Sequence, residues 1–197
     1  SDWDGDVPPI TALASKAGSW VAGAYVSPEG LLRLYRCSQD EQFCELSGAP
    51  NGAKYGEPVR MRNAAGNPML LVNSEEAGGP VIVVYTKDTG WSLVAEVANG
   101  VQALDFASVF IGNGNSIEVT VGRQGFIGTT TGEESQSLEI GDMGQYTQGK
   151  ITFLSVARFE GTLVALGLYS SGEYVLAHAP WDNKVNIGAS WSIHGTK

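Results

Sequence analysis

The chain has 197 residues, enough for one domain with a substantial core. Its formal charge of −9, with the 12 basic residues forming no run, excludes a nucleic-acid binder that works through phosphate attraction and disfavours anionic membrane surfaces. Hydrophobic residues make up 43%, charged residues 17%, and 26 glycines are spread along the whole length, which points to many short strands joined by tight turns.

Taken from the start, Ser1-Asp2-Trp3-Asp4 has neither the basic segment nor the apolar run of a signal peptide. Asp2, Asp4 and Asp6 alternate like the first half of a calcium loop. Gly5 comes too early, however, and Leu13 stands where the closing Glu belongs, so the segment reads as an acidic terminus. Strands are then expected at Trp20–Tyr25 and Leu31–Tyr35, around the turn Ser27-Pro28-Glu29-Gly30, and at Phe43–Leu46. On the last hairpin, Arg33 and Glu45 are a lone cation and a lone anion among apolar neighbours. Such a pair either bridges the two strands or offers a planar donor fork and a carboxylate to the hydroxyls of a sugar. Cys37 and Cys44 lie on its two arms. A disulfide between them is geometrically feasible and would favour secretion; two buried thiols fit as well.

The second stretch gives Met69–Val72, a turn around Gly78-Gly79-Pro80, Val81–Tyr85 and Trp91–Glu96. The third gives Ser108–Ile111, the turn Gly112-Asn113-Gly114-Asn115, Ile117–Val121 and Phe126–Thr129. The fourth gives Leu163–Tyr169, the turn Ser170-Ser171-Gly172-Glu173, Tyr174–Ala177 and a final strand near Trp191-Ser192-Ile193. Starting segments at Ile10–Leu13, Val59–Arg62, Val101–Leu104 and Ile151–Leu154 share a pattern, spaced by 49, 42 and 50 residues. Four strands repeated every 40 to 50 residues or so suggest propeller blades. No window shows sustained helical apolar spacing, and no apolar run approaches the roughly 18 residues of a membrane span. The expected fold is a single all-β domain over 1–197, a small β-propeller of about four blades at roughly 8–57, 58–99, 100–149 and 150–197. A β-sandwich or a barrel would have the same strand count.

The first of these units resembles a blade of the fungal fucose-binding β-propeller lectins. The likeness rests on Leu32-Arg33-Leu34-Tyr35, a polar turn carrying Asp40, Glu45 on the return strand, and the endings Gly90-Trp91-Ser92 and Ser190-Trp191-Ser192-Ile193-His194-Gly195. The resemblance implies that Arg33 and Glu45 hold sugar hydroxyls, with Tyr35, Trp91 or Trp181 as the aromatic against the apolar face of the sugar. The family usually has six blades. The second unit has Val83 where the Arg would stand, and Glu118 in the third has no Arg beside it. Thr86-Lys87-Asp88-Thr89-Gly90-Trp91 is similar to the Asp-box turn of sialidase propellers, a structural turn.

Other chemistry finds little footing. Glu75-Glu76 and Glu133-Glu134 sit in turn-like, solvated contexts. His178 and His194 have no partner at metal-ligand spacing, His194 reads as a surface residue, and Gly112-Asn113-Gly114 lacks the rest of a dinucleotide motif. Trp181, in Pro180-Trp181-Asp182-Asn183-Lys184, has the polar neighbours of a stacking platform or a loop plug. The expectation is therefore a lectin-like protein that binds glycans without a cofactor or catalytic residues and gains avidity from several sites or a homo-oligomer. Its partner is a glycan or small molecule, with no nucleic acid and no membrane insertion. An enzyme acting on a small molecule or glycan in a propeller pocket, and a protein-binding scaffold, stay open as alternatives.

Overall fold

A computed structural model describes residues 10–38, 45–47, 53–97, 100–112, 115–131, 134–136, 151–180 and 191–195. No described residue is helical, so none of the helices that could cross a membrane is present among them. Among the described residues sixteen strands form four four-stranded sheets, each in chain order. The first holds β1 (Ala12–Lys16), β2 (Trp20–Val26), β3 (Leu32–Ser38) and β4 (Glu45–Ser47). The second holds β5 (Tyr55–Ala64), β6 (Asn67–Ser74), β7 (Gly79–Thr86) and β8 (Gly90–Glu96). In the third are β9 (Ala103–Gly112), β10 (Asn115–Gly122), β11 (Ile127–Thr131) and β12 (Glu134–Gln136). The fourth has β13 (Ile151–Phe159), β14 (Thr162–Tyr169), β15 (Tyr174–Pro180) and β16 (Ser192–Gly195). The all-β expectation holds at this level, as four successive meanders.

The chain divides into two compact units, Ser1–Val94 and Ala95–Lys197. In the first, alternation along β2 and β3 turns Trp20, Ala22, Ala24, Leu32 and Leu34 to one face of the first sheet. There they pack with Met61, Leu70, Val72, Val81, Val83, Tyr85 and Trp91 of the second. Small alanines on β2 let the sheets approach, and the bulk comes from the facing sheet. In the second unit, Ala107, Val109, Val119, Val121 and Ile127 do the same against Ile151, Phe153, Val156, Leu163, Ala165, Val175 and Ala177. Each buried aliphatic side chain contributes about 1.5–3 kcal/mol, so these two interfaces dominate the stability of their units.

Turns follow local chemistry. Between β5 and β6, Ala65 and Gly66 both have positive φ (49° and 88°), the conformation of the tightest hairpins, and the Asn63 carboxamide oxygen accepts from the Gly66 N–H at 3.0 Å. The Gly66 carbonyl accepts the Trp20 indole N–H at 2.9 Å, which fixes this turn to the first sheet. The segment similar to an Asp-box is indeed a turn between β7 and β8: the Thr86 hydroxyl contacts the Thr89 hydroxyl at 2.6 Å and accepts the Thr89 N–H at 3.2 Å.

Gly122 is required for a different reason. The β9–β10 register shifts between Val121 and Gly122, and a Cβ at Gly122 would lie 2.1 Å from the Gln102 carbonyl oxygen, a backbone atom.

Candidate functional site

The β3–β4 register decides the fate of the expected Arg33–Glu45 pair. Glu45 is opposite Arg36, Leu46 opposite Tyr35 and Ser47 opposite Leu34. Arg33 and Arg36 are three positions apart, an odd offset, so Arg33 and the Glu45 position fall on opposite faces of the sheet. The backbone register therefore does not place the two positions on one face. Arg36 instead turns inward, its guanidinium carbon 5.8 Å from the centre of the Trp20 ring.

Arg33 has other company. It lies directly across from Tyr25 on β2, and Tyr35 shares its face two residues on. The Tyr25 and Tyr35 rings are stacked, with centroids 5.6 Å apart and planes within 16°. Partial burial, followed by a side-chain hydrogen bond with Tyr35, raises the Tyr25 phenol above its ordinary value, while the nearby Arg33 charge opposes the rise.

Glu29, exposed in the β2–β3 turn, is held below the usual carboxylate value chiefly by a hydrogen bond from the Ser27 side chain, with its own backbone and Arg33 adding to it. The turn is pinned by the Gly30 N–H donating to the Ser27 carbonyl at 2.9 Å and the Ser27 N–H donating to the Leu31 carbonyl at 2.9 Å. Gly23, directly across from Tyr35, leaves a bare spot on the same face over which Ile10 and Leu13 lean. The result is a half-exposed strip of two stacked phenols, an aliphatic edge and a guanidinium, with a carboxylate at one end. Tyr35 and Arg33 were legible as candidates; Tyr25 and Glu29 were not, because their place depends on the β2–β3 register.

The remaining candidates separate. Trp91 is 3% exposed, packed edge-on against Tyr85 with centroids 5.6 Å apart, so it is core and not a stacking platform. Trp181, Asp40, Cys44 and the acidic start lie outside the described residues. Cys37 is disulfide-bonded.

Among the described residues of the second unit, two carboxylates are buried. Asp105, fully buried, accepts the Phe106 N–H at 2.9 Å, the Ser155 hydroxyl at 2.6 Å and the Val156 N–H at 3.0 Å. It thereby joins β9 to β13 beside the register shift between Phe153 and Ser155. Glu118, 2% exposed, accepts the hydroxyls of Ser108 at 3.1 Å and Ser116 at 2.7 Å. Both are sequestered from solvent and bound to donors, so they act as structural braces and not as an acid and base for substrate.

The two histidines that looked isolated in sequence come together. His178 on β15 and His194 on β16 approach through their Nε2 atoms at 2.7 Å.

No protein-family model matches the chain, and no curated protein does. Among solved structures it is similar to a GH43 endo-arabinanase from Bacillus licheniformis, with a TM-score of 0.40 and 12% identity over 92% of this chain and 78% of that one. The lectin expectation is corrected by the register: the Arg33 and Glu45 positions, on which sugar binding was drawn, lie on opposite faces of the sheet.

Proposed function

We propose that the chain is a small β-propeller enzyme that takes a small-molecule or glycan substrate on the outer face of β2–β3. The propeller reading is supported by four consecutive four-stranded meanders at near-regular spacing, the layout of blades. The observation that carries the substrate reading is the Tyr25–Tyr35 stack beside Arg33, accessible and on one face. Stacked phenols cover the apolar face of a ring at low cost in conformational freedom, and the guanidinium fork fixes its oxygens. The bonded Cys37 supports an oxidising, extracellular setting.

The experiment is incubation of the purified chain with a panel of oligosaccharides and polysaccharides, arabinan among them, scored both for released reducing ends and for binding. Turnover of one class is expected, with Arg33→Ala and Tyr35→Ala each raising KM about 10- to 100-fold, the value of a lost charge-assisted hydrogen bond or stacked ring. Binding without product sinks the enzymatic reading, and neither binding nor product sinks the site as well.

A further inference from the structure

We infer that His178 and His194 form a two-imidazole chelate for a divalent transition metal, one that clips β16 to the rest of its sheet. In the β15–β16 register His178 is opposite Ser192 and His194 is opposite Leu176. The two histidines are thus diagonal neighbours on the same face. Their Nε2 atoms are 2.7 Å apart, their ring planes lie within 15° and their centroids are 4.8 Å apart, so the rings meet nitrogen to nitrogen, edge to edge. His178 is half-buried and His194 exposed, so an ion from solvent can reach the two nitrogens from one side. Ala177 and Ala179, flanking His178, are buried in the core of the unit, so the ring stands on a fixed strand.

A neutral imidazole carries one N–H and one lone pair. At 2.7 Å, one ring must donate and the other accept, so a single proton lies on the line between two nitrogens. A metal ion takes a lone pair from each Nε2, which requires the donor ring to carry its proton on Nδ1 instead; both rings stay neutral and no net proton is released. Bonds of about 2.0 Å at a right angle place two nitrogens about 2.8 Å apart, and at a tetrahedral angle about 3.3 Å apart. The observed spacing sits near the first value, the tetragonal geometry of Cu(II) and Ni(II), and each ring turns off the line between the nitrogens to aim its lone pair at a shared ion. The exposed Ser192, on the same face opposite His178, and water are the oxygen donors at hand. No cluster of three or more His, Cys, Asp or Glu ligands occurs among the described residues, so the two imidazoles carry the affinity and the order Cu(II) above Ni(II) or Zn(II) is expected.

The strand that gains is β16, four residues at the edge of its sheet. The histidines are 16 positions apart, and a metal bridge closes that loop covalently enough to remove most of its freedom.

The test is titration of the purified chain with Cu(II), Ni(II) and Zn(II), followed by calorimetry, and hydrogen exchange of the Ser192–Gly195 amides with and without metal. Slower exchange confined to β16 and its partner is expected, and His178→Ala should weaken binding by more than about tenfold, since even second-layer partners of a ligand are worth 10- to 100-fold. His194→Gln keeps an amide able to hydrogen-bond His178 but removes the imidazole. It should lose the metal response while the fold, read by circular dichroism, stays intact. Metal binding of equal strength in wild type and His194→Gln, or none in wild type, overturns the inference and leaves a simple hydrogen bond.

Discussion

The two units solve the same problem with different chemistry. Each must hold one meander against the next, and each adds a polar bond between them across a long stretch of chain. In the first unit the bond is neutral: the Trp20 indole donates to the Gly66 carbonyl, 46 residues away, and a large apolar ring comes with it. In the second unit Asp105 takes two donors from β13, Ser155 and Val156, about 50 residues away, and a third from Phe106. A ring packs whether or not its N–H is satisfied; a buried carboxylate is tolerable only while its donors are in place. The first unit is therefore braced by packing with a hydrogen bond attached, and the second by a hydrogen-bonded charge that everything around it must respect.

That contrast can be broken by substitution. Asp105→Ala removes the acceptor of the Val156 N–H and of the half-buried Ser155 hydroxyl and should cost about 3–5 kcal/mol in urea unfolding. A loss under about 1 kcal/mol would show that water replaces the carboxylate and that the brace is dispensable. Gly122→Ala should cost about 3 kcal/mol or fail to fold, because the obstacle is the Gln102 backbone carbonyl. At Gly128 the nearest atom is the Phe126 Cζ, 2.6 Å from the added Cβ and at the movable end of a side chain, so Gly128→Ala should cost clearly less in the same assay. Trp20→Phe keeps most of the ring and loses only the donor to Gly66, an expected loss of about 1 kcal/mol. If it equals the Asp105→Ala effect, the distinction between the units fails.

The smallest effect is alkaline. Tyr25 and Tyr55 both have phenols raised above the ordinary value of 10.0, mainly by burial. A raised acid is protonated longer in the folded than in the unfolded chain, so above pH 10 the unfolded state loses its proton first and stability falls. The contribution is complete below pH 10 and lost as pH climbs through the folded values. Tyr25→Phe and Tyr55→Phe should each flatten the stability profile between pH 10 and 12.

How far the sequence carried this picture varies by residue. Val81–Tyr85 and Leu163–Tyr169 are apolar runs of strand length, and they lie within β7 and β14, because burial on a sheet needs only the right composition. The Thr86–Gly90 turn was legible from its turn-forming residues. Register was not. Whether Arg33 meets Glu45, or Tyr25 meets Tyr35, depends on an offset set by connections whose residues carry no pattern, and an odd offset reverses every assignment on a face. The His178–His194 encounter was hidden for the same reason. Asp105 was overlooked for another: in Ala103-Leu104-Asp105-Phe106-Ala107 a single acid looks like a solvent-facing position, and two of the three donors that let it face inward come from the irregular stretch of β13. Trp91 shows the converse, since a Trp beside polar turn residues need not be exposed.

Asp105 also sets a schedule for synthesis. Its donors on β13 leave the ribosome about 50 residues after it does, which at 5–20 residues per second is a delay of about 3–10 s. For that interval β9 is an apolar strand without its final partner, the kind of segment that pairs with other chains. A charge in the middle of it, solvated until β13 arrives, keeps such pairing unfavourable. The residue that braces the finished unit thus guards the nascent one.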